Sequence, residues 1–391
     1  MGELNECAVC SAPAEQKCSG CQNAHYCSRE HQKQDWRQHK HRCTPARIKV
    51  DTKFGRYLEA TREIKAGDVI LKEAPLITGP AQVTPPVCLG CYKLLEAEKT
   101  VSCADCGWPF CSEPCTRNEV HKPECFYTKN RGEKVTISTF GIPHPNYQCI
   151  TVLRCLYQRD YNEKLWAKLQ SLESHCADRK GTDKWNNDKK MIADFIVNFF
   201  KLGNTFTDEE IMKCCGIIQI NGHEVPLLEP EYVAVFERVS MAEHSCCANC
   251  NKSFTSAGDI ILCAGVNIPA GGHISVCYTD PLWGTEARRH HLADSKFFEC
   301  TCPRCADVTE FGTMYSAVKC KKKLVKLLEI FKFFLNSNIL MLFELMWQQD
   351  ALGLAAVTED RLILKTQLCR KLADMLETLA PGQFLEPRYN D

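Results

Sequence analysis

Two stretches of this chain repeat one pattern of soft metal ligands. The first runs Cys7/Cys10, Cys18/Cys21, Cys27/His31 and His39/Cys43, with seven, five and seven residues between successive pairs. The second runs Cys88/Cys91, Cys103/Cys106, Cys111/Cys115 and His121/Cys125, with gaps of eleven, four and five. A CxxC pair sets two thiolates on one tight knuckle, and residues four apart meet on one face of a helical turn, so each pair is half of a tetrahedral site. Sulfur with occasional imidazole and no carboxylate selects Zn²⁺ over Ca²⁺ or Mg²⁺. No position is left open for water, and the four sites are expected to be structural. In a module of roughly 40 residues such an ion replaces a core too small to fold alone. Spacing and composition disfavour a disulfide framework, and the opening MGELNECAVC lacks the apolar core of a secretory leader.

Three further patches carry a different signal. Phe54-Gly55-Arg56-Tyr57-Leu58, followed by Glu63 to Ile70, reads as a strand, a glycine turn and a second strand. Glu243-His244-Ser245-Cys246-Cys247-Ala248-Asn249 forms the second patch. The third, Ile261 to Gly265, a turn from Pro269 to Gly272 and then His273 to Tyr278, reads as a hairpin that delivers Tyr278 at its end. Cys300, Cys302 and Cys305 supply three ligands where a tetrahedral ion needs four. Taken alone, Tyr278 is an ordinary sheet tyrosine, His244 a satisfied core histidine and Gly55 a plain turn residue.

The elements that must position these residues belong to a chain of 391 residues with 25% charged residues, formal net charge zero and 28 cysteines. Charge balance argues against a general nucleic-acid binder, and no finger offers a basic recognition helix. The basic run Arg37 to Lys49 reads as a solvated face, with contact to an anionic partner as the alternative. Cys149, Cys155, Cys176, Cys214 and Cys215 lie outside the ligand pattern and point to a reducing cytoplasm or nucleus. Asn187 to Leu202 presents a broad apolar face through Met191, Ile192, Phe195, Ile196, Phe199 and Phe200, as a packed helix would. The apolar stretch around Leu327 to Leu335 is broken by Glu329, Lys332 and Asn336-Ser337-Asn338, leaving no 18-residue run for a membrane span. Residues 360–380 read as a surface helix ending before Pro381-Gly382.

Residues 7–43 resemble a MYND zinc finger, with His31 where that family usually has cysteine. The three patches resemble pieces of a SET domain, the fold of protein-lysine methyltransferases, and their order is that of the SMYD family. Trp283-Gly284-Thr285, Arg288-Arg289 and Leu292 are most similar to its arthropod-specific branch. The resemblance implies an α+β fold. A MYND finger occupies 1–46 and a split SET domain 47–306, made of a SET start 47–80, a MYND-like insert 88–125, a helical insert 127–215, a SET core 216–280 and a post-SET cluster 281–306. A short helical region, 307–391, follows.

It also implies interleaved zinc sites: Cys7, Cys10, Cys27 and His31; Cys18, Cys21, His39 and Cys43; Cys88, Cys91, Cys111 and Cys115; Cys103, Cys106, His121 and Cys125. Cys246 joins Cys300, Cys302 and Cys305 to complete a fifth. For S-adenosylmethionine the resemblance implies Gly55, Arg56, Glu243, His244, Tyr278 and Phe298 as contacts, with Tyr278 also catalytic. Four departures from the family pattern stand out. Tyr57 replaces a glycine, Glu243 an asparagine, Ala248 a proline and Lys296 a channel tyrosine. Tyr57, Glu243 and Lys296 motivate a second expectation, a catalytically weak SET scaffold acting as a MYND-mediated transcriptional regulator, beside the first, a protein-lysine (histone) methyltransferase. Expected partners are a protein or peptide bearing the target lysine and, through the MYND modules, proline-containing peptides. The chain is expected to be monomeric.

Overall fold

A computed structural model describes residues 6–21, 24–40, 43–52 and 55–313. The helix expected at 360–380, the unusual stretch 321–347 and most of the C-terminal region lie outside these. One compact unit takes in everything described up to Pro281 together with Ala287–Cys305 and holds all the sites discussed below. Leu282–Glu286 and the residues from Ala306 onward form a second unit.

The architecture is α+β, with ten core strands in three small sheets. The strands are β1 (Ala46–Asp51), β2 (Gly55–Ala60), β3 (Val69–Glu73), β4 (Ile77–Pro80), β5 (Gly222–Val225), β6 (Tyr232–Val235), β7 (Glu243–His244), β8 (Cys250–Phe254), β9 (Ile260–Ala264) and β10 (His273–Val276). Sheet orders are β7-β10-β2-β1, β8-β9-β3 and β4-β6-β5. Strand alternation sorts the side chains: Leu58, Ile274 and Val276 are buried on one face of the first sheet, while Glu59 and Glu243 belong to the other. β1 is an edge strand whose Arg47 and Lys49 stand exposed, which discourages pairing with another chain. Gly67, at φ +89°, makes the left-handed turn into β3 that side chains resist.

The expected hairpin ending at Tyr278 does not form. β9 takes β8 and β3 as its neighbours, whereas β10 lies between β7 and β2 in a different sheet. The connecting segment is claimed by other partners: Ile268 bridges Ile64, Gly271 N–H donates to the Ala60 carbonyl, and Ala60 N–H donates to the Gly272 carbonyl. Alternation in sequence identifies strands but not their neighbours.

Between β4 and β5 come the second cysteine-rich module and a set of helices. Asp183–Asp188, a π-turn at Lys189–Ala193 and Asp194–Phe199 realise the expected apolar face, burying Ile192, Ile196 and Phe200. The helix Asp208–Asn221 begins with a capping box between Thr207 and Glu210 and continues six residues beyond 215, where the helical insert is expected to end. Its apolar residues Ile211, Met212 and Ile217 stay buried throughout, so nothing stops it before Gly222. The N-terminal finger is tied to the sheet by backbone: Thr61 Oγ1 donates to the Cys21 carbonyl and Arg62 Nε to the Gly20 carbonyl at 2.9 Å. Among the described residues no helix is long and apolar enough to cross a membrane.

Candidate functional site

Five groups of four ligands converge among the described residues. They are Cys7/Cys10/Cys27/His31, Cys18/Cys21/His39/Cys43, Cys88/Cys91/Cys111/Cys115, Cys103/Cys106/His121/Cys125 and Cys246/Cys300/Cys302/Cys305, each with its donor atoms within 4.8 Å of one another. Ligands 2.3 Å from a tetrahedral zinc sit about 3.8 Å apart along each edge. The sulfur pairs match: Cys18–Cys43 at 3.7 Å, Cys103–Cys125 at 3.9 Å, Cys246–Cys300 at 3.8 Å, Cys10–Cys27 at 3.6 Å and Cys111–Cys115 at 3.7 Å. All five clusters therefore suit zinc. The helix Arg29–His39 spaces the first finger's histidines, and Ser28 caps it by accepting the His31 N–H. In the fifth cluster, hydrogen bonding with Cys246 holds the Cys300 thiol down to about 3.

The second module is coupled to the sheets through one of its ligands. His121 turns Nε2 toward Cys106 at 3.3 Å and Nδ1 toward Glu124 Oε1 at 3.0 Å, the arrangement in which a carboxylate orients a metal-bound imidazole. Glu124 is fully buried against Arg154, whose guanidinium makes five hydrogen bonds. They run to both Glu124 oxygens (2.5 and 3.0 Å), the Thr78 and Leu89 carbonyls (3.0 and 2.8 Å) and Tyr92 Oη (2.6 Å). Burial alone would raise the Glu124 carboxyl; the Arg154 charge and the His121 hydrogen bond outweigh it and hold it below the ordinary range. Neither Glu124 nor Arg154 carries a motif, which is why the sequence reading passes over them.

The cleft around Tyr278 is assembled from four regions. β10 ends one residue before Cys277 and delivers Tyr278, whose backbone N–H donates to His244 Nδ1 at 3.0 Å. The register is locked by Asn249, whose Oδ1 accepts the Ser275 N–H at 2.9 Å while Nδ2 donates to the His273 carbonyl at 2.7 Å. Tyr278 Oη donates to the Ala242 carbonyl at 2.5 Å. Burial and the nearby Glu243 push its hydroxyl above the ordinary range, so it stays protonated. His244 lies 5.1 Å from the Tyr278 ring and 5.7 Å from the ring of Phe298, forming an aromatic wall. At the start of β2, Gly55 (φ +66°) leaves open space where a Cβ would stand, and Arg56 donates to the Ser171 carbonyl at 2.5 Å. Lys296 reaches the Gln219 and Ile220 carbonyls at 3.0 and 2.8 Å and lies 5.8 Å from the Tyr278 ring centroid.

The structure thus brings His244, Tyr278 and Phe298 together, with Glu243 beside His244 on β7, while Gly55 and Arg56 open β2 and Arg56 meets the loop at Ser171. Two departures noted in the sequence turn out to be one feature. Tyr57 stacks on His273 at 4.2 Å and 14°, and His273 Nδ1 pairs with Glu243 Oε2 at 2.9 Å. Sequence reasoning misses the loop at residues 171–175 and the end of the helix at Gln219–Asn221. Glu173 accepts the backbone N–H groups of His175 and Ser174, which with Arg56 hold its carboxyl below the ordinary range, and its carbonyl accepts from Asn221 Nδ2 at 2.7 Å. His175 and Phe297 both take left-handed φ values, +45° and +62°, with rings 5.5 Å apart. Such backbone concentrates at functional sites. Only Asn221, a polar residue at a helix end, gave a signal that could have been read.

The fold and clusters correspond to known families. The MYND finger matches residues 7–43 and the SET domain residues 55–279. The SET match spans more than half of the chain, which belongs to the SET-domain family. With both domains on one chain it is an SMYD protein, similar to the fly SmydA proteins. SET domain-containing protein SmydA-8, isoform B, of Drosophila melanogaster is 29% identical over 283 residues, 69% of this chain and 59% of that protein. The human Histone-lysine N-methyltransferase SMYD1 is 24% identical over 273 residues (64% and 54%), and the chicken N-lysine methyltransferase SMYD2 27% over 268 residues (64% and 57%). The chain therefore spans less than two thirds of the length of these relatives.

Proposed function

We propose that this protein is an S-adenosylmethionine-dependent protein-lysine methyltransferase, with histones among the substrate candidates suggested by the names of its relatives. The observation that carries the reading is the setting of Tyr278. Its proton is committed to the Ala242 carbonyl, so the phenolic lone pairs are turned to receive an amine N–H. Other groups match the parts of the cofactor. Arg56 offers a cation for a carboxylate, the Phe298 and His244 rings offer a stacking surface for adenine, and the open approach at Gly55 admits close backbone contact. Bound there, S-adenosylmethionine would supply an electrophilic methyl group. The residues of the chain align the amine, exclude water and favour its neutral form through burial. The zinc clusters take no part in the chemistry. The fifth fixes the segment carrying Phe298 by joining Cys300 to Cys246, two residues after His244.

In this reading the chain divides as the sequence suggests, with a MYND finger at 1–46 and the split SET domain at 47–306. The fingers bind proline-containing peptides, the protein is a monomer, and it works in the cytoplasm or nucleus. A second reading, a SET scaffold of weak activity that regulates through its MYND modules, is favoured by the engagement of Glu243 with His273 rather than with open cleft. Calorimetric titration of the zinc-loaded chain with S-adenosylmethionine, followed by methyl transfer to lysine peptides by wild type and Tyr278→Phe, separates the two. Saturable micromolar binding and a Tyr278-dependent transfer support the enzyme. A folded protein that binds no cofactor up to millimolar concentration leaves the scaffold.

A further inference from the structure

Lys296 ends the helix Thr285–Lys296, and the left-handed Phe297 that follows turns the chain back toward His244. Its side chain runs into the cleft rather than into solvent. Nζ donates to the carbonyls of Gln219 and Ile220, among the last of the helix Asp208–Asn221, where the helix dipole presents partial negative charge. On its remaining side the amine faces Tyr278. These two carbonyls are its hydrogen-bond partners among the described residues.

That number matters. A protonated ammonium has three N–H donors, whereas a neutral amine has two and one lone pair. Two N–H groups on these carbonyls and a third toward the face of the Tyr278 ring suit the ammonium, and loss of that third proton leaves a lone pair on the Tyr278 side. Burial, with Lys252 adding to it and Glu224 opposing, brings the amine down to about 8 from an ordinary 10.5. The neutral fraction near neutral pH is then roughly two orders of magnitude larger than for an exposed lysine. A substrate lysine in a methyltransferase needs the same features: a held amine, a free lone pair and a neighbouring catalytic phenol.

We infer that Lys296 is itself a methyl acceptor, a self-modification site inside the protein's own cleft. The inference rests on the methyltransferase reading above. The Nζ lone pair forms the new nitrogen–carbon bond as the bond from that methyl to the sulfonium sulfur breaks. The bonding pair stays on sulfur, giving the neutral thioether, and the extra proton on nitrogen leaves to solvent. The monomethylammonium product retains two N–H groups and keeps both carbonyl bonds, whereas a second methyl would cost one of them. The product is monomethyl-lysine.

Two measurements on the full-length, zinc-loaded chain test this. In the first, the protein is incubated with S-adenosylmethionine and a panel of lysine peptides, and methylation is mapped by mass spectrometry. One methyl group on Lys296, independent of protein concentration in rate and lost in Tyr278→Phe, is expected. Methylated peptides with an unmodified Lys296 overturn the inference and leave the enzyme intact; no methyl on either overturns both. The second needs no cofactor turnover: trace acetylation with acetic anhydride at pH 7.5, comparing Lys296 with the exposed Lys49. Lys296 labelling that exceeds Lys49 and falls when S-adenosylhomocysteine is added supports the presented lone pair. Labelling below Lys49 and indifferent to that compound overturns it.

Discussion

Replacing Arg154 by methionine should be among the most damaging single changes available in this chain. Methionine preserves much of the volume but removes all five hydrogen bonds. Glu124, with no exposed surface, is left as a buried carboxylate whose only remaining side-chain partner among the described residues is His121. Removing one member of a buried ion pair costs roughly 3–5 kcal/mol, a sizeable share of the roughly 5–15 kcal/mol that holds a domain together. Most of that cost is the stranded charge, so neutralising it should restore stability. Glu124→Gln in the Arg154→Met background can still offer an amide oxygen to His121 Nδ1–H and should recover about half of the loss or more. Urea denaturation of the zinc-loaded variants, followed by the fluorescence of tryptophans including the fully buried Trp108, reads this directly. The reasoning fails if Arg154→Met unfolds within about 1 kcal/mol of wild type, or if the double variant is less stable than the single one.

Other consequences can be measured separately. Tyr57→Gly with Glu243→Asn dissolves the stack and hydrogen bond on His273, and should tighten S-adenosylmethionine binding in calorimetry by about tenfold, the worth of one hydrogen bond to a charged group; unchanged or weaker binding would show that the cluster does not compete with the cofactor. Glu173 is held below its ordinary 4.5, so the stability it lends the loop is present above that pH and is lost as pH falls through the lower folded value. The stability gap between wild type and Glu173→Gln should therefore be widest at neutral pH and close below pH 4.5, as followed by denaturant titrations at stepped pH. Metal analysis should return five zinc ions per chain, and Cys246→Ala should lower this to four while reducing order around Phe298, visible as faster amide exchange.

The zinc ligands were legible because CxxC and four-residue spacings are local patterns set by local geometry; which pairs share an ion was implied only by the family resemblance, and the clusters follow it. Tyr278 and His244, which short motifs single out, meet in the structure. The walls of their cleft were not legible. Arg56 meets Ser171 and Lys296 meets Gln219 across separations of 115 and 77 residues, and no periodicity encodes such meetings. The hairpin expectation failed for a related reason: β9 and β10 are adjacent in sequence, yet each prefers partners elsewhere. Tyr57 and Glu243 were read as two separate departures because His273, the residue that joins them, carried no signal of its own.

The bonds from Thr61 and Arg62 to the carbonyls of Cys21 and Gly20 bear on how this protein could have been assembled and could be re-engineered. Both carbonyls belong to the knuckle that carries ligands of the second cluster, so their positions are set by the coordination geometry. A finger grafted from another protein at residue 45 would bring its own ligands but would also have to present two carbonyls in the same place. Swaps that conserve every cysteine and histidine should then differ widely in yield and melting temperature, according to the backbone between Cys18 and Cys21. Modularity at the level of domain names does not extend to the joint.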